Sequence, residues 1–308
     1  MPRVANVEVT TKCDLACPLC PTHVVERRAP MIEEAAVAGV LAVADGLRDV
    51  CFHVQGEPLL HPRLFEFVDR FEEKGVRTHF STNGKRLRER VPEIVASRLS
   101  SISIAIDGVR QEDYGRYRTG GDVEGLLEGV RALVDARGES PTPRIQLQLI
   151  LFPYLEERLS EEVRVLESLG ADVVEIKRAS LDVDPRPFAA RLGERRVDQA
   201  LARARAFASS LRGGVTRFAR MGGRLHRDEP LCPQLEKATV LCDGRVVACS
   251  LDADGGTAYG SVLDHSLAEI WRSDARRELL AKFQAGALPL CASCALGSAP
   301  KSPGPARS

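Results

Sequence analysis

The sequence predicts an α/β fold: a partial (β/α)6 TIM-like barrel, open rather than closed, followed by a small cysteine-rich domain. Three observations carry this. Short runs rich in β-branched residues alternate with amphipathic helical runs over residues 1–215. Eight of the nine cysteines fall in two clusters towards the chain's ends, with only Cys51 among the 211 residues between Cys20 and Cys232. The length of 308 residues suits one large unit and one smaller one.

Composition narrows the classes further. Hydrophobic residues make up 44% and charged residues 28%, an ordinary globular mix. Lys+Arg and Asp+Glu both number 43, so the formal net charge is zero and a basic footprint for nucleic acid is absent. The start, Met1-Pro2-Arg3-Val4, carries no long apolar stretch, and no apolar run reaches membrane-spanning length. The expectation is a cytoplasmic protein that engages neither nucleic acid nor membrane.

Strands are expected at Val4–Thr10, Val50–Val54, Thr78–Thr82, Ser101–Ile106, Ile145–Phe152 and Val173–Lys177. Between them, helical periodicity marks Glu33–Ala44, Pro62–Glu73, Leu87–Ser97, Val123–Ala136 and Glu156–Leu169. An Arg-rich helix near Arg195–Leu211 follows, read as a solvated face. Such alternation gives a parallel sheet with right-handed crossovers. Catalytic groups then gather at the C-terminal ends of the strands.

The residues at those ends are chemically loaded. The first strand runs into Cys13-Asp14-Leu15-Ala16-Cys17-Pro18-Leu19-Cys20, a C-x3-C-x2-C loop. Three thiolates on one loop can bind three irons of a [4Fe–4S] cluster and leave the fourth iron open. A structural zinc site would ask for four protein ligands. The next strands end in Gln55-Gly56-Glu57-Pro58, in Ser81-Thr82-Asn83-Gly84, and in Ser103-Ile104-Ala105-Ile106-Asp107-Gly108. Turn chemistry alone would explain Gly-Glu-Pro or Asn-Gly taken singly.

Together these motifs resemble the radical SAM superfamily over residues 1–215. The cysteine loop matches in full. Gly56-Glu57-Pro58 is similar to the family's Gly-Gly-Glu-Pro motif, with Gln55 in place of the first glycine. The resemblance implies that S-adenosyl-L-methionine chelates the open iron through its amino and carboxylate groups. One electron, from a donor such as flavodoxin or ferredoxin, then cleaves the sulfonium. The resulting 5′-deoxyadenosyl radical takes a hydrogen atom from the substrate. It implies further that Glu57 accepts the methionine ammonium, and that Ser81, Asn83, Ser103 and Asp107 contact the methionine carboxylate or the ribose.

The second cluster reads Cys232-x9-Cys242-x6-Cys249-x41-Cys291-x2-Cys294. Asp243-Gly244 is a two-residue hairpin signal between Lys237–Leu241 and Arg245–Ser250, and Leu267–Gln284 reads as one helix. The arrangement resembles the shortened auxiliary-cluster extension of radical SAM enzymes, the twitch domain, which holds one further [4Fe–4S] cluster. It is expected over residues 216–295, with a Gly/Pro/Ser-containing tail at 296–308. Five cysteines for four positions leave one over. With Asp243-Gly244 as the turn, Cys242 pairs with Arg245 and Cys249 faces Ala238, roughly 13 Å apart along the ribbon. One cubane does not easily take both. The spare thiol is either a small buried hydrophobe or a hydrogen-atom donor. The twitch pattern Gly-x4-Cys matches Gly244 to Cys249 and would free Cys242. Resemblance to the aminoglycoside epimerase instead makes Cys249 the donor and Cys232, Cys242, Cys291 and Cys294 the ligands. The latter is the expectation, with the exchange of Cys242 and Cys249 as its alternative.

For the substrate, strand alternation puts Asn6, Glu8 and Thr10 on one face, Gln146 and Gln148 on another, and Glu175 with Lys177 on a third. These faces, with Asp182, Asp184, Asp252 and Asp254 in loops, are candidates to meet the ammonium and hydroxyl groups of an aminoglycoside. His23, His53, His61 and His79 are expected as structure or polar lining, and Cys51 and Trp271 as packing. The resemblance implies a radical SAM epimerase that inverts an aminoglycoside carbon in antibiotic biosynthesis. A dehydrogenase acting on an aminocyclitol or aminosugar alcohol is the alternative, and a peptide-modifying enzyme a lesser one.

Overall fold

The computed structural model describes residues 1–23, 30–178 and 232–292. Asp182, Asp184, the Arg195–Leu211 helix, Cys294 and the 296–308 tail lie outside the described residues. Within them runs a nine-stranded sheet of β1 (Val4–Val7), β2 (Asp49–Cys51), β3 (Arg77–Thr82), β4 (Ser101–Ala105), β5 (Arg144–Leu151), β6 (Val173–Arg178), β7 (Ala238–Val240), β8 (Arg245–Val247) and β9 (Gly260–Ser261). The spatial order is β6-β5-β4-β3-β2-β1-β7-β8-β9. Strands β1 to β6 pair in parallel, each with the next, and the sheet does not close. This is the open partial barrel that the strand–helix alternation predicts.

The alternation is a burial pattern. In β5, Ile145, Leu147, Leu149 and Leu151 are buried while Gln146, Gln148 and Ile150 are half-buried. The apolar set packs beneath helices α1 (Glu34–Leu41), α2 (Leu64–Glu72), α3 (Leu87–Ala96), α5 (Val123–Arg137) and α6 (Leu159–Glu167). A shorter helix, α4 (Gln111–Tyr117), precedes α5. Helix α2 buries Leu64, Phe65, Phe67, Val68 and Phe71, a stripe at helical spacing. Asp122 caps α5, its side chain accepting from the backbone N–H groups of Glu124 and Gly125. The opposite face of the parallel sheet is the polar one, and it forms the barrel's lumen.

The C-terminal region is not a separate layer. Strand β7 pairs in parallel with β1, matching Ala5 to Ala238 and Val7 to Val240, so the sheet continues into the second cysteine cluster. Two expectations change here. The hairpin turn is longer than Asp243-Gly244: β7 and β8 match Val240 with Val246, the Leu241 N–H donates to the Arg245 carbonyl, and Cys242 lies in the turn itself. Asp243 closes that turn by accepting from the Arg245 backbone and guanidinium. The Leu267–Gln284 helix is two, α7 (Leu267–Arg272) and α8 (Asp274–Gln284). Ser273 breaks it with ψ near 157° and caps α8 with its own hydroxyl.

Candidate active site

The cysteine loop follows directly from β1. It is pinned where the Ala16 N–H donates to the Thr119 carbonyl, and by a turn from the Cys20 N–H to the Cys17 carbonyl. Cys17 is buried; Cys13 and Cys20 are half-buried. A hydrogen-bonding group stands at each sulfur: Asn83 Nδ2 at 3.6 Å from Cys13 Sγ, an Arg118 guanidinium nitrogen at 3.9 Å from Cys17 Sγ, and Thr22 Oγ1 at 3.1 Å from Cys20 Sγ. Burial pushes the Cys13 thiol up to about 11, and the neighbouring thiols and Glu57 push the same way. Burial also raises Cys17, against the pull of Arg118. Iron ligation would have to displace these protons, as it does for any thiol. Among the described residues no three His, Cys, Asp or Glu side chains converge as ligands of a single ion. The ligands of a cubane each hold a different iron, so three spaced thiols on one loop, each facing a donor, fit a [4Fe–4S] cluster.

The Gly-Glu-Pro turn lies against this loop. Gly56 has φ +75°, and a Cβ there would stand 2.2 Å from the Thr10 carbonyl oxygen, so only glycine fits. The Glu57 N–H donates to the Lys12 carbonyl at 2.7 Å. The Glu57 side chain is 1% exposed and already accepts three bonds, from the Leu59 N–H, the Thr82 hydroxyl and the Asn83 N–H. A carboxylate offers about four lone-pair sites, so roughly one remains for an ammonium. Burial raises its carboxyl to about 7.

Asn83 is buried, and its side chain spans Cys13 Sγ and Asp14 Oδ1. Asp107 is fully buried and committed within the protein. One oxygen accepts the Ile150 N–H at 2.7 Å, and the other forms a two-pronged pair with the Arg118 guanidinium at 2.6 Å. Expected as a cofactor contact, Asp107 instead holds Arg118, a cation beside Cys17 that sequence reasoning missed. Arg118 follows Tyr117, with no spacing signal tying it to Asp107 eleven residues earlier. Beside it an apolar wall gathers Leu19, Tyr117, Ile150 and Tyr154 around the buried Phe152, separate from the main core.

Strand register lays the lumen out in rows. Asn6, Cys51, His79 and Ser101 share one level across β1–β4, and Ser81, Ser103 and Gln146 share the next across β3–β5. Ser81 and Ser103 are half-buried there, and their hydroxyls make no hydrogen bond among the described residues. Gln146 donates to Glu175 at 2.6 Å, and Lys177 bridges Glu175 and Gln148 at 2.9 and 2.7 Å. Burial lowers His53 to about 4, with the Arg118 charge adding to it, so a neutral imidazole lines the lumen.

Two expected substrate carboxylates are used structurally. Glu8 is fully buried, and its Oε2 accepts the Cys242 N–H at 3.1 Å. Asp252 is fully buried and accepts from the Gly256 N–H, the Thr257 N–H and the Thr257 hydroxyl, so it folds its own loop instead of facing a ligand.

The second cysteine cluster is divided by strand direction. Because β7 runs with β1, Cys242 emerges at the same strand ends as the Cys13 loop. Strand β8 runs back, so Cys249 lies at the opposite end of the hairpin. The Leu251 N–H stands 3.4 Å from Cys249 Sγ, an arrangement suited to a ligating thiolate. Cys232 and Cys291 are half-buried and pack against the main core, and Arg276 ties α8 to the Cys232 segment through the Leu235 carbonyl.

Comparison with known proteins agrees with this geometry. The radical SAM superfamily model matches residues 7–166, and an iron-sulfur cluster-binding domain, SPASM, matches residues 232–295. The chain belongs to the radical SAM superfamily. Its cofactors are S-adenosylmethionine, a [4Fe–4S] cluster and, in the C-terminal domain, a further iron–sulfur cluster. Similar proteins include a GTP 3′,8-cyclase of Rhodopseudomonas palustris (strain TIE-1), 25% identical over 323 residues, covering 96% of this chain and 85% of the relative. GTP 3′,8-cyclase 2 of Pseudomonas aeruginosa is 22% identical, covering 79% and 78%. Among solved structures, SuiB of Streptococcus suis bound to S-adenosylmethionine superposes with a TM-score of 0.65 at 13% identity, covering 94% of this chain and 72% of that one. BtrN in complex with AdoMet and 2-DOIA gives 0.52 at 17% identity, covering 92% and 87%. No helix among the described residues is long and apolar enough to cross a membrane.

Proposed function

We propose that this radical SAM enzyme is an epimerase that inverts one carbon of an aminoglycoside, with Cys242 as the hydrogen-atom donor. The observation that carries the reading is a thiol beyond cluster needs, buried at the radical-forming strand ends and held there by Glu8 through its backbone N–H. Cys249, beside the Leu251 N–H at the far end of the hairpin, suits the ligand set with Cys232, Cys291 and Cys294. This takes the exchanged alternative of the sequence-based expectation.

When bound, the cluster and S-adenosylmethionine supply one-electron cleavage of the sulfonium, which yields a carbon radical strong enough to take a substrate hydrogen. The chain's own residues do the rest. Cys13, Cys17 and Cys20 hold the cluster, and the remaining acceptor site of Glu57 suits the methionine ammonium. Ser81, Asn83 and Ser103 are the candidates for its carboxylate and ribose, and Arg118, its guanidinium already paired with Asp107, adds a fixed positive charge beside Cys17. The apolar wall around Phe152 excludes water. Gln146, Gln148 and the Glu175–Lys177 pair offer the hydrogen bonds that a polyhydroxylated amine needs. Cys242 returns a hydrogen atom to the opposite face of the substrate carbon, and its sulfur radical is restored to the thiol by one electron from the external flavodoxin- or ferredoxin-type donor and one proton from solvent.

A second reading, cyclisation of GTP, is favoured by the names of the sequence relatives. A nucleoside triphosphate asks for converging unpaired cations, and two described cations near the lumen, Lys177 and Arg118, are already paired with Glu175 and Asp107. One experiment separates the two readings. The anaerobically reconstituted, reduced enzyme is offered aminoglycosides or GTP in deuterated water. Epimerisation predicts 5′-deoxyadenosine together with an inverted, deuterium-bearing aminoglycoside carbon. A cyclised nucleotide, or a ketone from the dehydrogenase alternative, would overturn it.

A further inference from the structure

One departure from the family motif has a partner in the structure. Gln55, standing where the motif has glycine, places its side-chain amide 3.1 Å from Thr22 Oγ1. Thr22 is 7% exposed, and the same oxygen lies 3.1 Å from Cys20 Sγ and 3.4 Å from the Gly56 N–H. A hydroxyl has one proton to give and two lone pairs to fill. With Cys20 as a thiol, the chain of bonds runs from the S–H to Thr22 and from the Thr22 O–H to the Gln55 oxygen. Iron ligation removes the thiol proton and turns the sulfur into an acceptor. The chain must then run the other way. The Thr22 O–H points at Cys20 Sγ, and its lone pairs are filled by the Gly56 N–H and by the NH2 of Gln55 after the amide turns over. An amide allows this, because its oxygen and nitrogen occupy nearly equivalent positions.

We propose that Gln55, acting through Thr22, is a positioning residue that sets the reduction potential of the N-terminal cluster. A hydroxyl whose own oxygen accepts two N–H bonds is a more polarised donor, because such bonds strengthen one another along the chain. Hydrogen bonds to cluster sulfurs favour the more negative, reduced state and raise the potential. The backbone holding Gln55 is fixed, since Gly56 is wedged against the Thr10 carbonyl. The glycine of the family motif would leave Thr22 without the amide partner, and hence a weaker donor to Cys20. The inference rests on ligation by Cys13, Cys17 and Cys20, and not on which reaction the radical performs.

The test is an EPR-monitored potentiometric titration of the reconstituted full chain, following the reduced-cluster signal that responds to added S-adenosylmethionine. Thr22→Val should move its midpoint to more negative potential, and Gln55→Gly should move it the same way by less. Thr22→Ser should restore the wild-type midpoint. The double variant should shift no further than Thr22→Val, because Gln55 acts only through the hydroxyl. A wild-type midpoint in Thr22→Val at full iron content would overturn the proposal. So would a shift in Gln55→Gly that persists undiminished on top of Thr22→Val. Should Thr22→Val fail to take up the cluster, Gln55→Gly decides alone: an unshifted midpoint there overturns the proposal.

Discussion

At the residue scale, three residues carry testable loads. Gly56 is the tightest: a methyl there meets the Thr10 carbonyl at 2.2 Å with φ at +75°. Gly56→Ala should cost at least ~2 kcal/mol in chemical denaturation and remove the N-terminal cluster's share of bound iron. Asp107 is the buried half of an ion pair whose other half, Arg118, is 13% exposed. Asp107→Asn leaves that guanidinium uncompensated, a loss of ~3–5 kcal/mol measurable by urea unfolding of the unreconstituted chain. Glu57 makes stability depend on pH. Its carboxyl is raised to about 7 by burial from an ordinary value of 4.5. Below that ordinary value both folded and unfolded chains hold the proton, and above about 7 neither does. Between them only the folded chain keeps it, so stability falls as pH rises through this window, by up to ~3 kcal/mol. Glu57→Gln should flatten the slope of unfolding free energy between pH 5 and 7; an unchanged slope would assign the dependence to other groups.

At the scale of elements, local signals were readable and pairings were not. The six parallel strands lay within a few residues of their β-branched runs, because alternation in β3, β4 and β5 is a direct imprint of one apolar face and one lumen face. The Asp243-Gly244 turn misled. Asp243 bonds the Arg245 side chain as well as its backbone, and the turn widens to take in Cys242, shifting the register by one. A one-residue slip of this kind changes what a thiol faces. Ser273 split a helix whose apolar periodicity continued across it, because the hydroxyl caps the second half. The cap on α5 gives a cleaner case: Asp122→Ala frees two backbone N–H groups and should cost about 1 kcal/mol in thermal or urea unfolding, with the fold retained.

For the whole molecule, the decisive feature is the pairing of β1 with β7, which joins residues more than two hundred positions apart into one sheet. No spacing in the chain announces it. The cysteine loop and the strand-end motifs were legible because their chemistry is compact in sequence. Glu8 with Cys242 and Thr22 with Gln55 were not, since each pair forms only once separate strands are neighbours, nor was Arg118 with Asp107, which meet only once α4 folds back on the end of β4. That pairing brings Cys242 to the radical-forming end and sends Cys249 to the other. Cys249→Ala should therefore lower the auxiliary iron, while Cys242→Ala should leave iron content whole, counted colorimetrically per chain. The most direct measurement of the account is the mass of the product made in deuterated water by wild type and by Cys242→Ala. The account predicts one deuterium at an inverted carbon for wild type, and 5′-deoxyadenosine without inverted product for the variant. Inverted, labelled product from Cys242→Ala, or a wild-type product lighter by two hydrogens, would contradict it.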